Sequence, residues 1–325
     1  GLPNAGKSTL FNAFTGMSAL VASYPFSTVT TNKAMLNVAD KPFEDLGLKI
    51  NADDLKYSQV ELWDIAGLIE GASEGNGLGN EFLGHIKDCD VLLHIVREQA
   101  NQENDEKILI QEVAYFDHSL LKKPFEKNRP LSRVYPNDKQ YVLNNKIISS
   151  FYEETRKGLL PSVENIGEDE LAILEEIGLI GIKPRIKIIN TNIEKIIFVD
   201  KTTGTVQIDA KEFLEASVLK HEELEIIGID QSVLKQSLSD FFELMLKKIN
   251  KKIFYTVGHL GVGQWITDED KSAFDCSHLL HEEFEANNVK VATFSDMHKF
   301  GNWESLQKVG KIKTYKAQKY VPKNR

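Results

Sequence analysis

Nine residues constrain this chain more than any others: Gly1-Leu2-Pro3-Asn4-Ala5-Gly6-Lys7-Ser8-Thr9. They fit G-x-x-x-x-G-K-[ST], a loop whose successive backbone N–H groups turn inward on a phosphate. Gly1 and Gly6 let the backbone curl, Lys7 neutralises charge on the outer phosphates, and the Ser8 hydroxyl is placed to ligate Mg2+. Asn4, Ala5, Gly6, Lys7, Ser8 and Thr9 are therefore the expected nucleotide-binding residues of the loop. The helix expected over residues 8–14 aims its positive end at the same anion. Such a loop joins a buried strand to a helix, which points to an α/β chain with a doubly wound, mostly parallel sheet. That strand is expected ahead of Gly1, so the sequence reads as clipped at its start.

Composition excludes some partners. A net charge of -9 argues against a chain that binds nucleic acid over its whole surface, so any such contact has to come from a local patch. Cys89 and Cys276 have no metal spacing, and a disulfide between them is not expected in a reducing compartment. No run of about 18 apolar residues is present, so no membrane span is expected. Cytoplasmic location is the expectation.

Two further stretches fit the phosphate loop. Tyr24-Pro25-Phe26-Ser27-Thr28-Val29-Thr30-Thr31-Asn32 is a polar, hydroxyl-rich loop after the first helix. In a phosphate-loop nucleotidase a mobile loop here brings a Thr to the metal and the last phosphate, and Thr28 is the candidate. Ser58-Gln59-Val60-Glu61-Leu62-Trp63-Asp64-Ile65-Ala66-Gly67 reads as a strand ending in D-x-x-G. At the carboxyl end of a parallel strand, Asp64 can hold the Mg2+ shell and the Gly67 N–H can meet the outermost phosphate. Gly71, Gly75, Gly77 and Gly79 then make a backbone-permissive segment suited to being ordered by nucleotide and released after hydrolysis. Asp90-Val91-Leu92-Leu93-His94-Ile95-Val96 is an apolar run typical of a buried parallel strand, with His94 read as a core histidine.

Residues 1–10, 24–28 and 63–83 resemble the Obg family of translation-factor-related P-loop nucleotidases. Asp64-Ile65-Ala66-Gly67 and Gly77-Leu78-Gly79-Asn80 are most similar to its YchF/Obg-like ATPase branch. The resemblance implies hydrolysis of a nucleoside triphosphate with Mg2+, and association with the ribosome or a stress-linked role in translation. It also implies a coiled-coil arm after the strand at 90–96 and a ubiquitin-like, β-grasp TGS domain at the end of the chain.

The rest of the chain is read against that pattern. Leu109, Val113, Phe116 and Leu120, then Leu143, Ile147 and Phe151, recur at helical spacing. Asn128-Arg129-Pro130 and Pro136-Asn137-Asp138 stand between them as breakers, so a short antiparallel helical hairpin is expected. A helix over 168–179 and a strand Pro184-Arg185-Ile186-Lys187-Ile188-Ile189-Asn190 follow. GTPases read guanine at the end of this strand with N-K-x-D. Here the row is Asn190-Thr191-Asn192-Ile193-Glu194-Lys195, without a Lys after the first Asn or an Asp three positions on. YchF-like proteins carry N-x-x-E, which goes with ATP. This chain has N-x-x-x-E from Asn190 or N-x-E from Asn192, and the register stays open. Small residues in Phe213-Leu214-Glu215-Ala216-Ser217 suggest the last loop on the nucleotide side, with Ser217 at the base. A closing helix is expected over 230–250.

From Ile253 a small domain is expected: a hairpin from 253–258 and 264–267, a helix over 273–286 and a strand over 289–294. Its final strand is expected beyond Arg325. Residues 308–325 carry seven Lys or Arg and no acid, the candidate RNA contact.

The expected organisation is a nucleotidase domain (1–104 and 165–250), a helical insertion (105–164) and a TGS-like domain (251–325). The catalytic candidates are Lys7, Thr28 and Gly67, and the metal ligands Ser8, Thr28 and Asp64. Asn190, Asn192 and Ser217 complete the nucleotide set. The expected function is Mg2+-dependent hydrolysis of ATP, in preference to GTP, by a ribosome-associated regulator. A GTP-operated switch and a non-hydrolysing scaffold on ribosome or RNA are the alternatives. A glutamine that orients water in many GTPases is replaced by Leu68, and Arg97-Glu98-Gln99-Ala100-Asn101-Gln102-Glu103-Asn104 lacks the histidine that YchF-like proteins carry there. His85 and His118 flank that segment and are read as surface histidines. Slow intrinsic turnover is expected. Oligomeric state is not legible.

Overall fold

A computed structural model describes residues 1–17, 31–65, 86–98, 102–193, 196–257, 261–272, 275–276, 289–291 and 313–315. The chain divides into two compact units, Gly1–Leu36 with Glu61–Ile229, and Asn37–Val60 with Asp230–Arg325.

The first unit is an α/β unit built on the phosphate loop. Helix α1 (Lys7–Met17) leaves the loop with Leu10, Ala13 and Phe14 buried. Strand β1 (Thr31–Asn37) pairs with β3 (Gln59–Ile65), and Lys33 lies 3.3 Å over the Trp63 ring between them. A four-stranded sheet follows in the order β4 (Leu92–Arg97), β5 (Arg185–Asn190), β7 (Thr205–Ile208), β6 (Ile197–Asp200). The first three run parallel and β6 runs antiparallel at the edge, so the described sheet is mixed. Ile95, Val96, Ile186, Ile188, Val206 and Ile208 are buried, as expected of apolar parallel strands covered on both faces.

Between β4 and β5 the chain builds the expected hairpin. Helix α3 (Gln102–Val134) is 33 residues long, about 50 Å of helix, and α4 (Lys139–Arg156) packs back along it. Asp138 caps α4, its carboxylate accepting from the N–H groups of Gln140 and Tyr141. Asn128-Arg129-Pro130, expected to break the helix, does not. Pro124 and Pro130 both lie inside α3. An interior proline costs about 3 kcal/mol. The hairpin is held together by a core of Leu121, Ile147, Ile148, Phe151, Leu174 and Leu179, the last two reached through α5 (Glu168–Ile177). His118, expected at the surface, is half-buried between the helices. Its Nδ1 lies 3.2 Å from the Tyr152 carbonyl, and its ring packs on Tyr152.

At the foot of the hairpin, Asp117 of α3 is buried. It accepts from the amides of Ile180 (2.8 Å) and Gly181 (2.7 Å), tying the arm to the turn before β5. Burial pushes its pKa up to about 6 against those two hydrogen bonds. Arg97–Asp105 and Lys187–Glu106 ion pairs, 2.6 and 2.5 Å, join strand residues to the first turns of α3.

Residues 213–217 are not a loop. They lie in α6 (Ala210–Ser217), which packs along α1, with Phe14 and Phe213 edge to face at 5.1 Å. The short helix α7 (His221–Ile226) ends the unit.

In the second unit, Asp40 caps α2 (Lys41–Lys49), accepting from the Phe43 amide. Tyr255 Oη (2.7 Å) and Gln264 Nε2 (3.0 Å) also donate to this buried carboxylate, whose pKa burial drives upward. Phe43, fully buried, stacks on Tyr255 and meets Tyr57 edge-on. Strands β8 (Lys251–Val257) and β9 (Gly261–Asp268) form the expected antiparallel hairpin, and β2 (Asp54–Lys56) adds parallel to β9. The helix expected over 230–250 is present as α8 (Gln231–Lys248), with Leu234, Leu238, Phe241, Phe242 and Leu246 buried. It was expected to close the first domain but belongs to the second unit, where it packs on β8. Strand β10 (Val289–Val291) pairs antiparallel with β11 (Lys313–Tyr315). The expected helix over 273–286 and most of the basic run 308–325 lie outside the described residues.

Candidate nucleotide site

The first unit gathers its chemistry at the carboxyl ends of the parallel strands, where open α/β sheets bind ligands. Register brings Arg97 of β4, Asn190 of β5 and Ile208 of β7 level with one another. The phosphate loop lies beside them. Asn4 (φ 61°) and Gly6 (φ 93°) take the left-handed conformation, which turns the loop back on itself. The Ala5 amide donates to the Leu2 carbonyl (3.3 Å), and Ala5 is fully buried.

Asn190 holds this loop in place. Its Nδ2 donates to the Ala5 carbonyl (3.1 Å), and its Oδ1 accepts from the Ala210 amide (3.1 Å) at the start of α6. One side chain thus joins the loop, β5 and α6. A Cβ at Gly6 would run into the Asn190 amide, so glycine is required there for space as well as for backbone angle. Gly1 packs similarly close on the Ile95 carbonyl of β4.

Lys7, half-buried in the first turn of α1, folds over the loop with Nζ donating to the Leu2 carbonyl at 2.8 Å. Burial lowers its pKa while the nearby charge of Asp64 raises it. That coupling places the ammonium and the carboxylate at the end of β3 in one electrostatic neighbourhood. Ser8 is exposed and Thr9 half-buried in the same helical turn. Thr28 and Gly67 lie outside the described residues.

On the base side, Thr191 donates its amide to the Ile208 carbonyl (3.0 Å), and Asn192 is exposed. Ile193 stands three positions after Asn190, and Glu194 lies outside the described residues. Ser217 is not part of this group. Its hydroxyl is turned back to the Leu214 carbonyl (2.7 Å), and it packs against Gly16 at the far end of α1 from the loop. The residue that does reach the site from this part of the chain is Ala210. Asp209 caps α6, accepting from Lys211 and Glu212 amides, and Ala210 bonds Asn190. The signal was present in Thr205-Val206-Gln207-Ile208-Asp209-Ala210, a β-branched run ended by an N-cap residue.

His94 is the core histidine expected. It is buried in β4, and burial drives its pKa down to about 4, so it is neutral at pH 7. Among the described residues, His94 Nε2 and Thr191 Oγ1 are the buried side-chain polar atoms without a hydrogen-bond partner.

No three His, Cys, Asp or Glu side chains converge among the described residues. Mg2+ held by one or two protein ligands and by substrate phosphates needs no such cage. A hydroxyl in the first turn of α1 and a carboxylate near Lys7 form a donor set of that kind. No helix of the described residues is long and apolar enough to cross a membrane.

Comparison with known proteins agrees with this geometry. A family model described as a 50S ribosome-binding GTPase matches residues 1–126. The ribosome-binding ATPase YchF of Mycoplasma genitalium is 27% identical over 352 residues, spanning 98% of this chain and 91% of that protein. The Bacillus subtilis protein of the same name is 27% identical over 99% of this chain and 94% of its own length. The structure of the Schizosaccharomyces pombe YchF GTPase superposes with a TM-score of 0.74, at 20% identity, over 99% of this chain and 93% of that one.

Proposed function

We propose that this chain is a member of the YchF branch of the Obg family of P-loop nucleotidases, that it hydrolyses ATP with Mg2+, and that it acts on the ribosome in the cytoplasm. The observation that carries the reading is the clasp of Asn190 on Ala5 and Ala210, which sets the phosphate loop beside the strand ends. A loop so held presents its N–H groups to the phosphates, and Lys7 leaves the Leu2 carbonyl to neutralise charge on the β- and γ-phosphates. Ser8, Thr28 and Asp64 would hold Mg2+, which would supply charge neutralisation to the bound triphosphate. The Gly67 N–H senses the γ-phosphate.

In this reading residues 1–104 with 165–250 form the catalytic domain, apart from 37–60 and 230–250, which pack within the second compact unit; 105–164 form the inserted arm and 251–325 a TGS-like domain. The arm stays within the first compact unit and the β8–β9 hairpin within the second.

ATP is the favoured substrate because Ile193 offers no carboxylate where guanine needs one. A GTP-operated switch is the second reading, favoured by the description of the family model and by the name of the fission yeast relative. Leu68 has no hydrogen-bonding group to orient the attacking water, so the isolated protein turns over slowly and needs its partner. Steady-state phosphate release with and without ribosomes tests this. Turnover well below the roughly 10 s⁻¹ enzyme median, rising with ribosomes, is expected. Fast release insensitive to ribosomes overturns it.

A further inference from the structure

The tip of the helical hairpin has a chemistry that nucleotide hydrolysis does not use. Between residues 122 and 142 stand six Lys or Arg and two acids, in a chain whose net charge is -9. One of those acids, Asp138, is occupied in capping α4. Among the described residues, Lys122, Lys123, Lys127, Arg133 and Lys139 make no ion pair. Nearer the foot of the hairpin, Lys146 pairs with Glu170, Arg156 with Glu153 and Lys157 with Glu154. The charge at the tip is therefore uncompensated where the charge below it is balanced.

The same stretch exposes flat and apolar side chains. Val134 is 66%, Tyr135 52% and Val142 44% exposed. The Tyr135 and Tyr141 rings stack across the turn with centroids 5.6 Å apart and planes 28° from parallel. About two to three helical turns down, the Arg129 guanidinium sits 5.5 Å over the Phe125 ring. Phe125 packs against the core of the arm, but Tyr135 and Tyr141 belong to no core cluster among the described residues.

We propose that the hairpin tip is a single-stranded RNA-binding surface. An unpaired base stacks on the Tyr135–Tyr141 pair, and Arg129, Arg133 and Lys139 meet the flanking phosphates. Aromatic platforms flanked by cations are the recurring solution for unpaired bases, and sequence-specific RNA recognition concentrates on loops and ends whose bases are splayed out. The charge argues for a polyanion, and the ring pair argues for one that carries planar groups. Placing this RNA on the ribosome rests on the function proposed above; RNA binding at the tip does not.

The test uses the full chain, with fluorescent oligouridylate and with purified ribosomes as probes. Tyr135→Ala with Tyr141→Ala is expected to weaken oligouridylate binding about tenfold or more, and Tyr135→Phe with Tyr141→Phe to retain it. Arg129→Glu with Arg133→Glu is expected to weaken binding and to flatten its salt dependence. Phosphate release by the isolated protein should be unchanged in all three variants, which also shows that they fold. Unchanged RNA affinity in the Ala and Glu variants overturns the proposal. Loss of ribosome binding with RNA binding intact also overturns it, and assigns the tip to a protein partner. If oligouridylate binding is lost as expected while the native protein hydrolyses no nucleotide, the functional reading fails and the RNA surface stands.

Discussion

Asn190 Nδ2 donates to the Ala5 carbonyl at 3.1 Å, so the residue that ends β5 supports the phosphate loop at the other end of the sequence. The same side chain accepts from Ala210, and its place is fixed from both sides. An asparagine known in GTPases for standing beside the base is here, first, a structural brace.

Asn190→Ala should therefore act on both stability and binding. It leaves the Ala5 carbonyl and the Ala210 amide without their partner, at a cost of about 1–3 kcal/mol. Urea unfolding is expected to show that loss, and triphosphate affinity is expected to fall at least tenfold because the loop loosens. A variant with native affinity and stability would show that the brace is idle.

Asp117 predicts a pH dependence of folding. Its folded pKa of about 6 lies above the ordinary 3.8, so the folded state binds the proton more tightly than the unfolded chain. Protonation therefore stabilises the fold. The contribution is full below about pH 4 and is lost as pH rises through 6, an upper limit of about 3 kcal/mol. In Asp117→Asn this part of the pH dependence should vanish. Comparing urea midpoints of native and variant protein at pH 4.5 and 7.5 isolates it. An identical pH response in both would contradict the assignment.

Base preference follows from Ile193. Introducing a carboxylate three positions after Asn190 with Ile193→Asp should raise GTP affinity relative to ATP. Pairing the guanine donors is worth about 1–3 kcal/mol, roughly a five- to 150-fold change in the ratio. Competition binding with labelled ATP and GTP reads it. Native protein that already binds GTP more tightly than ATP would favour the switch reading instead.

Much of this was legible in the chain because it is local. The phosphate loop, the strand ending at Asn190 and the hairpin helices each carry their signal within a few residues. What was misread depends on distant packing. Ala216 and Ser217 look like loop residues, but small side chains are also what lets α6 approach α1 at Gly16. Asn128-Arg129-Pro130 looks like a breaker, but α3 runs through it to Val134. Nothing in Asp54-Leu55-Lys56 indicates a parallel partner at Gly261-Val262-Gly263, some two hundred residues on. The same holds for α8, whose apolar face is evident but whose destination is not.

The most direct measurement is ATP binding and phosphate release by Lys7→Ala, alongside its thermal unfolding midpoint. Lys7 is the one cation within the phosphate loop motif, and among the described residues its ammonium bonds just the Leu2 carbonyl, so its removal should spare the structure. Loss of ATP binding or of hydrolysis, with an unfolding midpoint within a few degrees of the native protein, is the predicted result. Native affinity together with native turnover in the variant would contradict the assignment of this loop as the site of the chemistry.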